Sequence, residues 1–160
     1  MLKIRPARPD DVDVLVEMMH ELADYERAPE ECVVSSEHLQ TALFGEAPAV
    51  FGHVAELDDD VAGMAVWFLT FSTWEGVHGI WLEDFYVRES ARGTGAGTAL
   101  MRELARICRD RGYARMDWSV LDWNEPSIGF YRALGAEHMH AWHAYRLTGT
   151  ALAALGQEAS

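Results

Sequence analysis

The chain has 160 residues, of which 49% are hydrophobic and six are tryptophan, so it can bury a core and is not a disordered segment. Its formal net charge of −13 argues against a nucleic-acid partner, because phosphate binding needs basic patches, whereas an acidic surface attracts small cations or simply favours solubility. No apolar run reaches the ~18 residues of a membrane helix, and the N terminus leads into a strand rather than a signal peptide. Two cysteines, Cys32 and Cys108, form no disulfide framework. We therefore expect a single cytoplasmic domain over residues 1–160, without membrane or nucleic-acid partners.

Hydrophobic periodicity and cap residues predict strands and helices along the whole chain. In order, they are a strand over 3–6, a helix opened by Pro9, a helix capped by Ser35 or Ser36, strands over 49–57, 61–71 and 80–87, a helix over 98–111, a strand over 115–120, a helix capped by Asn124, and a hairpin over 137–140 and 143–147. The run Asp58-Asp59-Asp60 is typical of a solvated hairpin turn rather than a metal site. This order predicts an α+β fold with a mixed central sheet of about seven strands flanked by about four helices.

The most informative segment is Arg92-Gly93-Thr94-Gly95-Ala96-Gly97-Thr98, between a strand and an amphipathic helix. Alternate glycines let backbone N–H groups point into one concavity, and the helix N terminus adds donors and the positive end of its dipole, which together favour a bound diphosphate. The dinucleotide-binding motif G-x-G-x-x-G does not match, because its last position is not a small residue whichever glycine the motif is started from. The P-loop motif does not match either, because it needs a lysine after its last glycine and the only lysine is Lys3. Since a diphosphate is an anion in an acidic chain, Arg88 and Arg92 are expected to supply positive charge.

The segment from Arg92 to Gly97 resembles the Arg/Gln-x-x-Gly-x-Gly/Ala signature of the GNAT N-acetyltransferase superfamily, in which this loop grips the pyrophosphate of acetyl-coenzyme A. The flanking stretches Leu82 to Val87 and Asp122 to Tyr131 resemble a narrower group, the diamine acetyltransferases, which include spermidine/spermine and thialysine acetyltransferases. The resemblance begins at Ile4, passes through Glu21 to Glu26 and runs to about Arg146. It implies a single GNAT domain that transfers acetyl from acetyl-coenzyme A to the amine of a small diamine, polyamine or lysine-like substrate.

The resemblance also implies a cofactor site and an amine site. Backbone groups of the strand before the loop would hold the pantetheine arm, the glycine loop the pyrophosphate, and the start of the fourth helix the far side of the cofactor. The implied cofactor residues are Phe85, Tyr86, Val87, Arg92, Gly93, Thr94, Gly95, Ala96, Gly97, Thr98, Asn124, Glu125, Pro126 and Ser127. The implied amine-site residues are Tyr25, Glu26, Glu83, Asp117, Trp118 and Ser119. A homodimer is implied as well, and no metal is required.

Amine acetylation needs the free base, and presenting it from a group with a pKa near about 10.4 costs about 4.6 kcal/mol at pH 7. The resemblance implies that Glu83 accepts this proton directly or through water; the alternative is that Glu83 only pairs with a second ammonium of the substrate. The period-two rule predicts that Asp84 points to the opposite face of the strand and is structural. Tyr131 matches the family's tyrosine acid, which protonates the departing thiolate, and its alternative role is packing. Since the sequence offers no Ser-His-Asp or Cys-His arrangement, direct transfer is expected.

One departure from the family bears on the substrate. Polyamine acetylases carry a tandem glutamate before the last strand, whereas this chain has His140-Ala141-Trp142-His143. The missing carboxylates favour a short diamine or lysine-like amine over spermidine and spermine. A zinc site is an alternative interpretation of the three histidines His138, His140 and His143, although zinc needs further ligands. The alternative functions are acetylation of another amine, such as an antibiotic or a protein N terminus, and a non-catalytic module that binds coenzyme A.

Overall fold

The structure, a computed structural model, describes residues 1–157 and confirms the predicted α+β class. Its strands are β1 (Leu2–Pro6), β2 (Phe51–Leu57), β3 (Asp60–Ser72), β4 (Val77–Val87) and β5 (Met116–Asp117). Its α-helices are α1 (Val12–Tyr25), α2 (Ser36–Phe44), α3 (Ala96–Arg111), α4 (Glu125–Ala133) and α5 (Gly149–Leu155). Within this part of the chain, no helix is long and apolar enough to cross a membrane.

The five strands form one sheet in sequence order, antiparallel throughout except for the parallel pair β4 and β5. The turn between β2 and β3 has Asp58 and Asp59 in the left-handed region, with φ of 51° and 73°. A two-residue hairpin turn needs this conformation at both central positions, and aspartate tolerates it better than most residues do. The predicted hairpin turn is therefore confirmed.

The chain divides into two compact parts, Met1–Leu121 and a second part from Asp122 onwards, which we describe separately. In the first part, α1 and α2 pack on one face of the sheet and bury Leu15, Met18, Leu39, Met64 and Val66, among others. The other face lies against α3, whose inward side buries leucines at positions 100 and 104. With both faces covered, the ends of the strands and the loops after them are the places left for a site.

Helix ends follow the predicted cap residues. The Ser35 hydroxyl accepts a hydrogen bond of 3.2 Å from the His38 N–H at the start of α2, and α3 ends at Gly112, which has a φ of 71°. In the second part, the Asn124 side chain accepts a hydrogen bond of 3.3 Å from the Ser127 N–H. However, α3 begins at Ala96, two residues before the predicted start, so the end of the glycine motif is already helical.

The predicted C-terminal hairpin is wrong. Residues 137–147 are exposed and form no strand, and the backbone hydrogen bonds there are local ones, from His140 N–H to His138 O and from Trp142 N–H to Met139 O. A strand requires a neighbouring backbone to complete its ladder, and a short segment's own sequence does not supply one. The sheet of the described residues accordingly has five strands, not about seven, and α5 follows where no helix was predicted.

Candidate active site

A β-bulge in β4 determines how its acidic residues are placed. Val66 of β3 is aligned with Asp84 and Trp67 with Leu82, so Glu83 is an extra residue in the ladder. Strict alternation of faces is therefore lost at this point. Asp84 is aligned with Val66 and so lies on the same face of the sheet, where the Val66 side chain is buried under α1 and α2.

Glu83 lies on the same side of the sheet as Asp84. Trp81 is aligned with Phe68, which shares a face with Val66 because it is two residues further along β3. The Trp81 indole N–H donates a hydrogen bond of 2.7 Å to the Glu83 carboxylate, which brings Glu83 to that face too. The prediction that Asp84 points away from Glu83 is wrong, because the bulge inserts one residue into the repeat.

The carboxylates of Glu26 and Glu83 act on that of Asp84 at this face. Burial, and then the negative charges of Glu83 and Glu26, raises the pKa of Asp84 to about 6. Burial also raises the pKa of Glu26. Asp84 and Glu26 are therefore costly to ionise, and a cation placed beside them stabilises their charged forms. Asp84 is the residue that sequence reasoning missed, and its only signal was the Glu-Asp pair in an otherwise apolar and aromatic strand.

The end of α1 meets the start of the glycine loop. Tyr25 is the last residue of α1 and Glu26 is its C-cap. The Arg92 guanidinium lies 5.5 Å from the centre of the Tyr25 ring, within cation–π range. Predicted amine-site residues on α1 and the first residue of the predicted diphosphate loop are therefore neighbours.

Arg88 does not supply the positive charge expected of it. Its guanidinium lies 2.8 Å from the Glu21 carboxylate and 2.9 Å from that of Glu17, both on α1. Burial, and then the negative charge of Glu21, raises the pKa of the Tyr86 phenol. The two ion pairs neutralise Arg88 and fix the end of β4 on α1, so positive charge at the loop comes from Arg92 and from backbone N–H groups.

The loop itself has the geometry of an open cradle. Gly93 and Gly95 have φ of 81° and 89°, which L side chains rarely adopt, and a Cβ at either would meet no heavy atom within 4 Å. The first α3 hydrogen bond runs from the Ala99 N–H to Gly95 O, 2.9 Å, so the N–H groups before it have no acceptor within the helix. Unlike α1, α2 and α4, α3 has no acidic residue in its first turn. Thr94 is held by its hydroxyl, which donates a hydrogen bond of 2.6 Å to Ala91 O. This site fits a diphosphate.

β4 and β5 are paired over only two positions, Ile80 with Met116 and Trp81 with Asp117. β4 then continues to Val87 along β3, so Phe85 and Tyr86 lie beyond the pairing with β5. The Asp117 carboxylate accepts a hydrogen bond of 3.0 Å from Arg115 Nε. The strand predicted to reach position 120 stops at Asp117, which leaves Trp118 and Ser119 after its end.

The remaining predicted residues belong to the second part of the chain. Asn124 is buried and caps α4, whose first residues are Glu125, Pro126 and Ser127. Tyr131 lies on α4 with its ring 5.5 Å from that of Phe130, at an angle of 61°. The roles proposed for these residues stay predictions. No group of three or more potential metal ligands occurs within residues 1–157.

Comparison with known proteins agrees with this geometry. Residues 15–136 match the acetyltransferase (GNAT) family. The chain is 33% identical to the thialysine N-epsilon-acetyltransferase of Bos taurus, over 93% of this chain and 94% of that protein, and 33% identical to the enzyme of that name from Caenorhabditis elegans, over 90% of each. A solved integron cassette protein from V. cholerae superposes with a TM-score of 0.82 at 27% identity, covering 98% of both chains. The chain therefore belongs to the GNAT family and is an N-acetyltransferase.

Proposed function

We propose that this N-acetyltransferase transfers acetyl from acetyl-coenzyme A directly to one amine of a short diamine or lysine-like amino acid. The observation that carries the proposal is the group formed by Glu26, Glu83 and Asp84, where burial and mutual repulsion raise the pKa of Asp84 to about 6. An ammonium group relieves both penalties, so the site is complementary to a cation. Thialysine, which appears in the names of two relatives that are 33% identical to this chain, has this chemistry.

Acetyl-coenzyme A, when bound, supplies the activated acetyl group. The pyrophosphate would lie over the glycine loop, held by N–H groups from Gly93 to Thr98 and by Arg92, because the loop is open and its first helical turn has no acid. Val87 and its two preceding residues on β4 would offer backbone groups to the pantetheine arm. The family resemblance, and not the geometry, implies that Asn124 to Ser127 flank the far side of the cofactor.

Glu83 would accept the ammonium proton, directly or through a water molecule. It is exposed and its carboxylate is oriented by the Trp81 indole, which leaves the second oxygen for the proton. Asp84 and Glu26 would hold the substrate's second charged group. Tyr131 would donate its phenolic proton to the departing thiolate, a role that rests on the family resemblance.

The C-terminal stretch supports a short substrate. His140-Ala141-Trp142-His143 carries no carboxylate where polyamine acetylases have a tandem glutamate. Losing one charge-assisted contact costs about 1.5–3 kcal/mol, a tenfold or larger factor in kcat/KM. Spermidine and spermine should therefore be poorer substrates than short diamines.

A cytoplasmic homodimer completes the proposal. Trp142 and Tyr145 are 67% and 96% exposed, and Leu155 is 75% exposed, which is apolar surface that a partner copy would cover. Cys32 and Cys108 are both free thiols, as expected in a reducing compartment. Light scattering at micromolar concentration should give twice the chain mass, and a monomer would contradict the dimer.

The test is a thiol-release assay over an amine panel: thialysine, lysine, putrescine, spermidine, spermine, an aminoglycoside and an N-terminal peptide. We expect the highest kcat/KM for thialysine or a short diamine, with activity rising from about pH 6 to 8.5 as the amine deprotonates. A preference for spermine would refute the short-substrate argument. If only the aminoglycoside or only the peptide is acetylated, that amine is the substrate and the short-amine proposal is wrong. If acetyl-coenzyme A binds but no amine is acetylated, the protein is a non-catalytic module.

A further inference from the structure

We propose that a cavity outside the candidate active site binds a small aromatic carboxylate. The cavity has a volume of about 310 Å³ and lies where the start of β2 meets the end of α2 and the C-terminal half of α3. Its α3 residues begin at Glu103, which is ~12 Å along the helix from Gly95 at ~1.5 Å per residue. A volume of this size is at the lower end of the range for small-molecule pockets.

Aromatic side chains form the wall of the cavity. Phe51 and Trp67 lie with ring centres 4.7 Å apart at an angle of 31°, and Phe44, Val50 and Ile107 extend the apolar lining. Trp67 is only 1% exposed, so Phe51 is the ring that a ligand can contact, and a flat ring favours a planar apolar ligand body.

His53 provides a directed hydrogen-bond donor in this apolar wall. The ring is only 7% exposed, and its Nδ1 accepts a hydrogen bond of 3.1 Å from the Trp67 indole N–H. Burial lowers the pKa of His53 and so favours the neutral ring, and because Nδ1 accepts the indole hydrogen bond, the ring proton is on Nε2. No other hydrogen bond to His53 occurs among residues 1–157, and every wholly buried side-chain nitrogen or oxygen there has a partner. The Nε2 atom is therefore not wholly buried, and because His53 lines the cavity, its N–H is available to an occupant.

The charges around the cavity leave one positive charge unmatched. Arg106 pairs with Glu103 through its Nε at 2.9 Å and with Asp110 at 2.8 Å, and Arg109 pairs with Asp110 as well, so these four side chains neutralise one another. Arg111 also lines the cavity and makes no ion pair within the described part of the chain. A carboxylate would satisfy Arg111 and accept the His53 proton in a hydrogen bond, which selects an anion over a neutral ligand.

The experiment titrates the full-length protein, saturated with acetyl-coenzyme A, with naphthoate and with its neutral analogue naphthamide, followed by nitrogen–proton NMR. We expect naphthoate to shift the Trp67 indole signal and the neighbouring amides, and naphthamide to bind at least about tenfold more weakly. Arg111→Gln should weaken naphthoate binding by a similar factor, whereas Arg109→Gln, on the same helix but outside the lining, should not. Val50→Trp should fill the cavity and abolish binding, and its amide spectrum shows whether it has folded.

Three results would overturn the proposal. The first is no shift near Trp67 with naphthoate at its solubility limit. The second is equal binding of naphthoate and naphthamide, which would remove the anion argument. The third is binding that persists in folded Val50→Trp, which would mean that the ligand occupies another site.

Discussion

Replacing Asp84 by asparagine should stabilise the free protein and damage the enzyme. The carboxylate is partly buried beside Glu83 and Glu26, and its pKa is raised from an ordinary value of 3.8 to about 6. Because the folded state holds the proton more tightly than the unfolded state, stability falls as pH rises from about 4 through about 6, and the loss is complete near pH 7. The asparagine side chain has no charge to bury, so the variant escapes that loss.

The expected gain follows from the size of the pKa shift. Moving a pKa from 3.8 to about 6 corresponds to about 3 kcal/mol, since each pKa unit is worth about 1.36 kcal/mol. We therefore expect Asp84→Asn to raise the free energy of unfolding by about 1–3 kcal/mol near pH 7.5, and to lose most of that advantage near pH 4. At the same time kcat/KM for a short diamine should fall at least about tenfold, because one charged contact with the ammonium is lost.

Urea denaturation of the two proteins at several pH values measures this directly. Glu75→Gln, in the exposed turn between β3 and β4, is the matched control and should not change the pH dependence. Glu83→Gln removes one neighbouring negative charge and should recover part of the stability. If Asp84→Asn has the same unfolding free energy as the parent near pH 7.5, Asp84 is not a buried carboxylate among carboxylates, and the argument for a cation site fails.

Other predictions concern the cofactor loop, the proposed acid and the core. Gly95→Val should weaken acetyl-coenzyme A binding at least about tenfold by calorimetry, because φ is 89° there and a side chain would enter the cradle, whereas Gly76→Val, at φ 70° in the β3–β4 turn, should strain the backbone without changing affinity. Tyr131→Phe should lower kcat by roughly 10²-fold with little effect on the cofactor KM, and normal turnover would reduce Tyr131 to a packing residue. Asp11→Ala should cost about 1–3 kcal/mol in urea unfolding, since it removes the Arg5 contacts of 2.7 and 3.0 Å while Glu56, 2.8 Å from Arg5 Nε, still neutralises the guanidinium. No measurable loss would contradict a partly buried pair.

The sequence by itself determined the features that depend on neighbouring residues in the chain. Ser35, Asn124 and Gly112 marked helix ends because a cap acts within a few residues of its own position. The glycine motif indicated a diphosphate cradle for the same reason, since positive φ and an uncapped helix N terminus are local properties. These signals, together with the family resemblance, were sufficient for the fold class and the type of chemistry.

Only the tertiary structure decided which side chains meet. The bulge at Glu83 arises from the register between β3 and β4, so a strict two-residue repeat placed Asp84 on the wrong face. Arg88 pairs with Glu17 and Glu21, which are distant in sequence, and so is not available to the cofactor as its position near the loop suggested. Residues 137–147 were predicted to form a hairpin but have no neighbouring strand in the described structure, and a ladder needs two backbones. Charge pairing, register and burial all depend on groups from separate elements, and such contacts exist only once the chain has folded.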